Sequence, residues 1–511
     1  MRKAANTAVL MAILIFGEKI LGFIREVLMA GFFGTNYVVD SYVMASNIPG
    51  ILFAGIFTSV GVAFLPIYSE LNEREGADRA NRFASETIVL TTVIASSFAI
   101  LGIILAGPIV SLLPDKFSAG PSGELTVMFL RITFGYIIFV SFAAVLESFL
   151  QYRGVFLKPV LAGYLQNFSI LGAILLAALV DYRLLPLGLL IGAMLRSAAI
   201  IKAARTADFK FTPTLRIGST ARQIVALALP VFIGGTINQI NSLVDKFLAS
   251  SLGEGAVAGL NYGFLLINMV TGLTIMVVVT IIYPRLTQSA AQRDFQRFNN
   301  SVGRGMNIAA LITVPCTLGI LLYSSEAIRL VFERGAFTAA STELTSQAFF
   351  YYAFGLVFIA INALVAKAFY ALKDTRTPVI CGITSAVLNI VLNLLLIGPM
   401  QIRGPALATS IAAAVNAFML VYMLKKRHPH IQILENRGDF GRIILAGFLA
   451  VGMSWPAYYF LAGRWEAPAL ISLPVTVVVA VFIYLLLLKA LRIPELAMLK
   501  DIVPLPGRKS A

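Results

Sequence analysis

A chain of 511 residues that is 59% hydrophobic and only 13% charged, with a mean hydropathy of +0.86, does not describe a soluble globular protein. Its net charge of +15 would suit nucleic acid if the 40 lysines and arginines shared one face, but they are spread over short loops between apolar runs. They act instead as topology signals, and a modest attraction to anionic membrane lipids is the only partner they imply.

The chain opens on MRKAANTAVLMAILIFG, which has the charged start and apolar stretch of a signal peptide but no A-x-A cleavage site, and the apolar run continues to Phe33. It is read as a retained first helix. A helix needs about 20 mainly apolar residues to cross the hydrocarbon. Fourteen such segments follow one another, at 7–33, 41–69, 86–113, 125–150, 159–180, 184–203, 223–250, 256–283, 304–323, 344–371, 378–398, 404–424, 442–461 and 468–490. The expected fold is an all-α integral membrane protein of 14 transmembrane helices. With an even number of spans both termini share a side. The termini and even-numbered loops carry 28 of the basic residues, the odd-numbered loops six and the spans the remaining six, so both termini are expected in the cytoplasm.

Two pairs of segments repeat at an offset of 218 to 219 residues. FLPIYSELNEREGADRANRF, with Pro66, parallels IIYPRLTQSAAQRDFQRFNN, with Pro284, and SFLQYRGVFLKPVLAG, with Pro159, parallels KAFYALKDTRTPVICG, with Pro378. An offset of six helices predicts two parallel, pseudo-symmetric six-helix lobes, an architecture that lets a midplane site open to alternate sides. The boundaries are an N-lobe over 1–205, a cytoplasmic linker over 206–222, a C-lobe over 223–427, and helices 13 and 14 with a tail over 428–511.

Polar residues inside these spans are the candidates for chemistry. Helix 1 carries Glu18, Lys19, Arg25 and Glu26 around Gly22, each charge costing roughly 2.5 to 3.5 kcal/mol in hydrocarbon. At 100° per residue all five positions fall within a sector of roughly 120° and can line one interior surface. Two readings stay open: ion pairs to neighbouring helices, or an anion site in which Lys19 and Arg25 hold phosphate. Asp40, Arg131, Glu147 and Lys367 are further candidates for the same cavity, while Arg196, near a cytoplasmic end, is expected to snorkel. Helix 7 carries the stripe Asn238, Asn241, Ser242 and Asp245 at i, i+3, i+4 and i+7. With Asn389 and Asn393 of helix 11 and Thr409 of helix 12, it supplies oxygen ligands for a small cation, unless the adjacent Lys246 serves as a tethered one. Cys316 and Cys381 lie in apolar runs without CxxC spacing and read as core thiols; His428 and His430 share one polar loop, which excludes His-based metal sites and HExxH chemistry in the membrane. No Walker A loop and no GxSxG motif occurs, so no enzyme constellation and no ATP-driven step is expected.

The segments LGFIREVLMAGFFG followed by Asp40, FLPIYSEL, ALPVFIGGTINQINSLVDKFLAS, VFERGAFT and FYALKDTRTPV resemble the MurJ (MviN) family of lipid II flippases, within the multidrug/oligosaccharidyl-lipid/polysaccharide exporter superfamily. The resemblance spans helices 1 to 14. It implies a transporter of the bacterial cytoplasmic membrane, not an enzyme, that moves the undecaprenyl-diphosphate-linked peptidoglycan precursor from the inner to the outer leaflet. It also implies an ion gradient or the membrane potential as driving force, and the cell-wall synthesis machinery as a further partner. Arg25 matches the family's helix-1 arginine, and Asp40 matches directly. Lys19 stands where arginine is usual and Glu26 where aspartate is usual. The family's sodium site falls on Asp245, Asn389, Asn393 and Thr409, with no other cofactor, and Asn393 replaces a frequent aspartate. The helix-2 stretch PGILFAGIFTSVG lacks the charged residues usual there, and Leu265 in helix 8 stands where arginine is usual. Those departures keep two alternatives in view, a related exporter of another polyprenyl-diphosphate-linked glycan and a multidrug cation antiporter.

Overall fold

The structure, a computed structural model, describes residues 2–212, 224, 239, 241–431, 437–464 and 469–496. Among the described residues the regular elements are all helical. In chain order they are α1 (Arg2–Phe33), α2 (Tyr37–Glu75), α3 (Ala77–Ile104), α4 (Ala106–Ser111), α5 (Asp115–Ser118), α6 (Pro121–Tyr152), α7 (Leu157–Leu179), α8 (Leu185–Arg205), α9 (241–249), α10 (Ala256–Val277), α11 (Tyr283–Ala291), α12 (Phe295–Phe332), α13 (Ala339–Ala371), α14 (Arg376–Met400), α15 (Arg403–Arg427), α16 (Arg437–Tyr458) and α17 (Ala469–Ala490). A π-helical stretch, Val278–Ile282, joins α10 to α11.

Eleven helices among the described residues are long and apolar enough to cross a membrane, and they coincide with eleven of the fourteen expected spans. The first two expected spans lie in α1 and α2, helices of 32 and 39 residues, and most of 223–250 lies outside the described residues. Helix starts follow local chemistry. Asn36 opens α2 by accepting from the amides of Val38 at 3.0 Å and Val39 at 3.2 Å, and Asp294 opens α12 by accepting from Arg297 at 2.9 Å. Within the spans, hydroxyls return to the carbonyl one turn back, as Thr87 does to Phe83 and Thr313 to Ala309, which satisfies them where no water is available.

The described chain forms two compact units, Met1–Ala258 with Arg334–Thr338, and Gly259–Glu333 with Ala339–Ala511. In the first, α6 packs against α2, α3 and α8, and α7 against α1 and α8. Its core stacks Phe64 on Phe83 at 5.5 Å and sets Tyr68 edge-on to Phe149 and Tyr152. In the second, α13 packs against α12 and α15, α14 against α15, and α16 against α12 and α17. Cys381 is buried in its core beside Phe369, as expected for an inert thiol.

The helix ends keep the offset seen in the sequence. α6 ends at 152 and α13 at 371; α7 begins at 157 and α14 at 376, each 219 residues on. Both connections turn through a left-handed residue, Gly154 (φ 71°) and Lys373 (φ 62°), again 219 apart. One element departs from the sequence-based halves. α9, which the offset assigns to the second half, groups with the first unit, because Lys246 of α9 bonds Asn47 of α2 and the following turn bonds Asp40.

Candidate substrate and ion sites

The polar face of α1 meets α7 through side chains that fit a groove of small residues. A Cβ at Gly163 would collide with the Glu18 carboxylate, so the missing side chain makes room for that charge. One turn along α7, Asn167 donates to the Gly163 carbonyl at 3.2 Å, and its Oδ1 faces Gly22. Tyr164 donates to the Leu14 carbonyl at 2.6 Å and fills the space above Gly17. Glu18 thus serves the α1–α7 contact, whereas Lys19 is exposed.

Arg25 sits at the other end of this face. Its Nη2 and Nε donate to Glu26 Oε1 at 2.7 and 3.2 Å, and its Nη1 reaches Asn167 Oδ1 at 3.4 Å. The side chains keep 28% and 18% exposure, so the pair is reachable but largely withdrawn from solvent. Such a guanidinium is always charged and presents a planar fork suited to phosphate, and here a neighbouring carboxylate occupies that fork.

Asp40 has a different occupation. Only 1% exposed, it accepts from the backbone amides of Gly255 and Ala258, both at 2.7 Å, at the start of α10. Amides there have no partner within their own helix, and the helix dipole favours a carboxylate. Gly255 (φ 83°) admits the backbone of Thr35 where a Cβ would clash, and Glu254 accepts from the Tyr37 amide at 3.1 Å. Both carboxylate oxygens of Asp40 thus hold backbone of the chain. The same turn receives Arg334–Thr338: the Ala336 amide donates to the Gly31 carbonyl at 2.8 Å, and Gly34 (φ 63°) and Gly335 (φ 58°) permit backbone-to-backbone contact. LGFIREVLMAGFFG and VFERGAFT, far apart in sequence, are thus one contact.

The candidate cation ligands fall in two groups. In the second unit Asn393 donates to Asn389 Oδ1 at 2.8 Å, and Asn389 donates to Thr409 Oγ1 at 3.1 Å, a relay that fixes the orientation of both amides. Asp245 is in the first unit and buried; Asn238 lies outside the described residues. Lys246, the neighbour of Asp245, donates its Nζ to Asn47 Oδ1 at 2.8 Å. The further cavity candidates divide as well. Glu147 is bound by Arg196, through Nη2 at 2.8 Å and Nε at 3.1 Å, while Arg196 Nη1 reaches Gln166 at 3.0 Å. Arg196 thus pairs within the unit and does not snorkel. Arg131 is exposed, and Lys367 lies over the rings of Tyr283 and Tyr370 at 5.4 and 5.5 Å.

A family model described as Lipid II flippase MurJ matches residues 29–476. The chain belongs to the MurJ family of lipid II flippases. A probable lipid II flippase MurJ of Rhizobium meliloti is 30% identical over 468 residues, 86% of this chain and 85% of that one, and a probable lipid II flippase MurJ of Treponema pallidum is 27% identical over 484 residues, 89% of each. A solved lipid II flippase MurJ in an inward closed conformation superposes with a TM-score of 0.82 at 25% identity, covering 97% of this chain and all of that one. A multidrug resistance MATE family transporter of the MOP superfamily shares the fold at a TM-score of 0.64 and 15% identity, over 81% and 98% of the chains. The chain is an all-helical, multi-pass membrane protein of the MurJ family, a family of transporters.

Within this family framework the sequence missed the residues that hold the charged ones, Asn47, Gln166 and Asn167, and also Glu254, which holds the Tyr37 amide. Asn47 and Asn167 had a detectable signal, an amide in the middle of an apolar span, which costs free energy unless it is bonded. Glu254 gave none, because its partner is a backbone amide.

Proposed function

We propose that this protein moves lipid II, the undecaprenyl-diphosphate-linked peptidoglycan precursor, from the inner to the outer leaflet of the bacterial cytoplasmic membrane. The observation that carries the reading is the family match over 29–476, with Arg25 standing in the polar face of α1 on a fork already made to an acid. At rest Glu26 compensates the guanidinium. A diphosphate offers the same fork two acceptor oxygens and more negative charge, so it competes with Glu26 for the guanidinium. Lys19, six residues and about 9 Å along the helix axis, adds a second positive charge on the same face. Gly22 and Asn167 between them let the ligand approach the backbone.

The remaining details belong to the same proposal. Fourteen spans with both termini cytoplasmic follow from the basic-residue asymmetry. The halves 1–205 and 223–427, joined by 206–222 and followed by 428–511, alternate access to the site. Sodium is the coupling ion, with Asp245, Asn389, Asn393 and Thr409 as the residues to vary, and the cell-wall synthesis machinery receives the flipped lipid. Arg25→Ala tests the reading. In a strain depleted of its own flippase this variant should fail to restore growth while its protein level stays normal, and Arg25→Lys should restore growth partly. Restored growth with Arg25→Ala, or loss of the protein itself, would overturn the assignment of Arg25 to phosphate.

A further inference from the structure

The segment FYALKDTRTPV leads into a cavity that the transport site does not use. Lys373, Asp374, Thr375 and Arg376 of the α13–α14 turn, with Arg427 and His428 at the end of α15, line a space of about 520 Å³. All six belong to the second unit, at the ends of α14 and α15 that the basic-residue asymmetry places in the cytoplasm. The acid is spent inside this wall. Asp374 accepts from the Thr377 amide at 3.0 Å, from the Thr377 hydroxyl at 2.6 Å and from Arg427 Nη1 at 3.1 Å. Its charge offsets that of Arg427, whereas Lys373 and Arg376 make no ion pair among the described residues, so the cavity keeps two positive charges in excess. The repeated turn is built without them. Positions 219 residues earlier hold Gly154 and Leu157, and the basic residues of that turn are bonded within the first unit, Arg153 to Asp208 at 3.1 Å and Lys158 to Thr206 at 2.6 Å. The second turn keeps a lysine in the left-handed conformation (φ 62°) where its counterpart uses glycine, the residue that adopts it without steric cost. A topology signal needs basic residues somewhere in a loop, not around one cavity.

We propose that this cavity binds the headgroup of an anionic phospholipid of the inner leaflet, held through its phosphate. Arg376 and the remaining donors of Arg427 take phosphate oxygens, Lys373 adds a point charge, and the His428 ring offers one N–H. The tails have a path from the same residues. Along α14, Arg376 is followed by Ile380, Ile383, Val387, Val391 and Leu394, at i+4, i+7, i+11, i+15 and i+18, one exposed apolar stripe. From Ile380 to Leu394 the stripe rises about 21 Å, more than the roughly 15 Å of hydrocarbon in one leaflet. A free phosphate would use the cavity alone; the stripe that starts at its edge selects a lipid. Bound there, the headgroup joins the α13–α14 turn to the end of α15 and stabilises the second unit by mass action.

Titration of the purified full-length protein with phosphatidylglycerol, followed by native mass spectrometry and by thermal unfolding, tests this. The variants are Lys373→Asn with Arg376→Gln, Arg376→Gln alone, and Lys202→Gln with Arg205→Gln, which removes two exposed charges from the end of α8 in the first unit. Loss of charge-assisted contacts predicts that the first pair weakens the tightest phosphatidylglycerol about tenfold or more and abolishes its thermal protection. The α8 pair should stay within about twofold of the natural protein. Equal weakening by both pairs would mean diffuse attraction of lipid to the basic surface and overturn the proposal, as would undiminished binding by the first pair. If the first pair does not fold, Arg376→Gln, at an exposed side chain, carries the test, and unchanged binding there overturns the proposal. Inorganic phosphate and glycerol 1-phosphate separate the two sources of the anion. Neither should displace phosphatidylglycerol at concentrations at which the lipid itself saturates; displacement by either at such concentrations would make this a free-phosphate site and refute the lipid assignment.

Discussion

Replacement of Asp40 separates a ligand from a structural clamp. Its two oxygens take the Gly255 and Ala258 amides at 2.7 Å in a place closed to water, so Asp40→Ala leaves two buried donors unsatisfied. Each orphaned donor costs about 1–3 kcal/mol, and the lost interaction of the charge with the helix terminus adds about 0.3–1 kcal/mol, so a destabilisation of about 2–7 kcal/mol is expected. Asp40→Asn retains one acceptor but turns an NH2 toward the other amide, which should cost about half as much. Thermal unfolding of the purified variants in detergent, followed by the fraction that stays monodisperse, measures this, and transport should fall in parallel with stability. An Asp40→Ala protein as stable as the natural one yet inactive would refute the clamp and restore Asp40 as a ligand.

Gly335→Ala should lower the amount of folded protein in the membrane strongly, because it places a Cβ on the Gly31 carbonyl at φ 58°, whereas Gly107→Ala, at a glycine with open space around it, should not; immunoblots of membrane fractions compare the two. Asp374→Ala should destabilise by about 1–2 kcal/mol, since the carboxylate takes the Thr377 amide at 3.0 Å and hydroxyl at 2.6 Å, while Arg427→Ala, from a half-exposed ion pair, should cost less than about 1 kcal/mol. Burial raises the Asp374 carboxyl, but the bonds from Thr377 and the Arg427 guanidinium outweigh it and hold the group below the ordinary carboxylate range of about 4. Its contribution is therefore complete above that range and lost only as pH falls through the lowered value, so the stability difference between Asp374→Asn and the natural protein should not change from pH 5 to 8. Cysteine at Ser251 should be labelled by an impermeant reagent from outside and cysteine at Gln151 only after permeabilisation; the reverse pattern would invert the topology.

Hydropathy located the helices because spanning segments must be apolar and must satisfy their own backbone, a constraint that acts on each segment alone. The 219-residue offset was legible for the same reason: Gly154 and Lys373 each end a helix at the same point of a repeated unit. Partners were not legible. Periodicity placed Glu18 and Arg25 on one face of α1, yet it could not tell that Glu18 meets a glycine of α7 while Arg25 turns to its own neighbour Glu26. The partners of Asp40 were not legible, because they are backbone amides more than 200 residues away, which no side-chain pattern marks. Arg196 was read by depth alone, and an acid at matching depth on α6 decides its direction. The Asn47–Lys246 hydrogen bond emerges only when α2 and α9 lie side by side.

The most direct measurement is the transbilayer position of labelled lipid II in cells depleted of their own flippase and supplied with this protein or with Arg25→Ala. Expression of the natural chain should return lipid II to the outer leaflet, and Arg25→Ala, present at the same level, should leave it accumulating inside. Lipid II that stays inside with the natural chain, while a different lipid-linked glycan reaches the outside, would contradict the account.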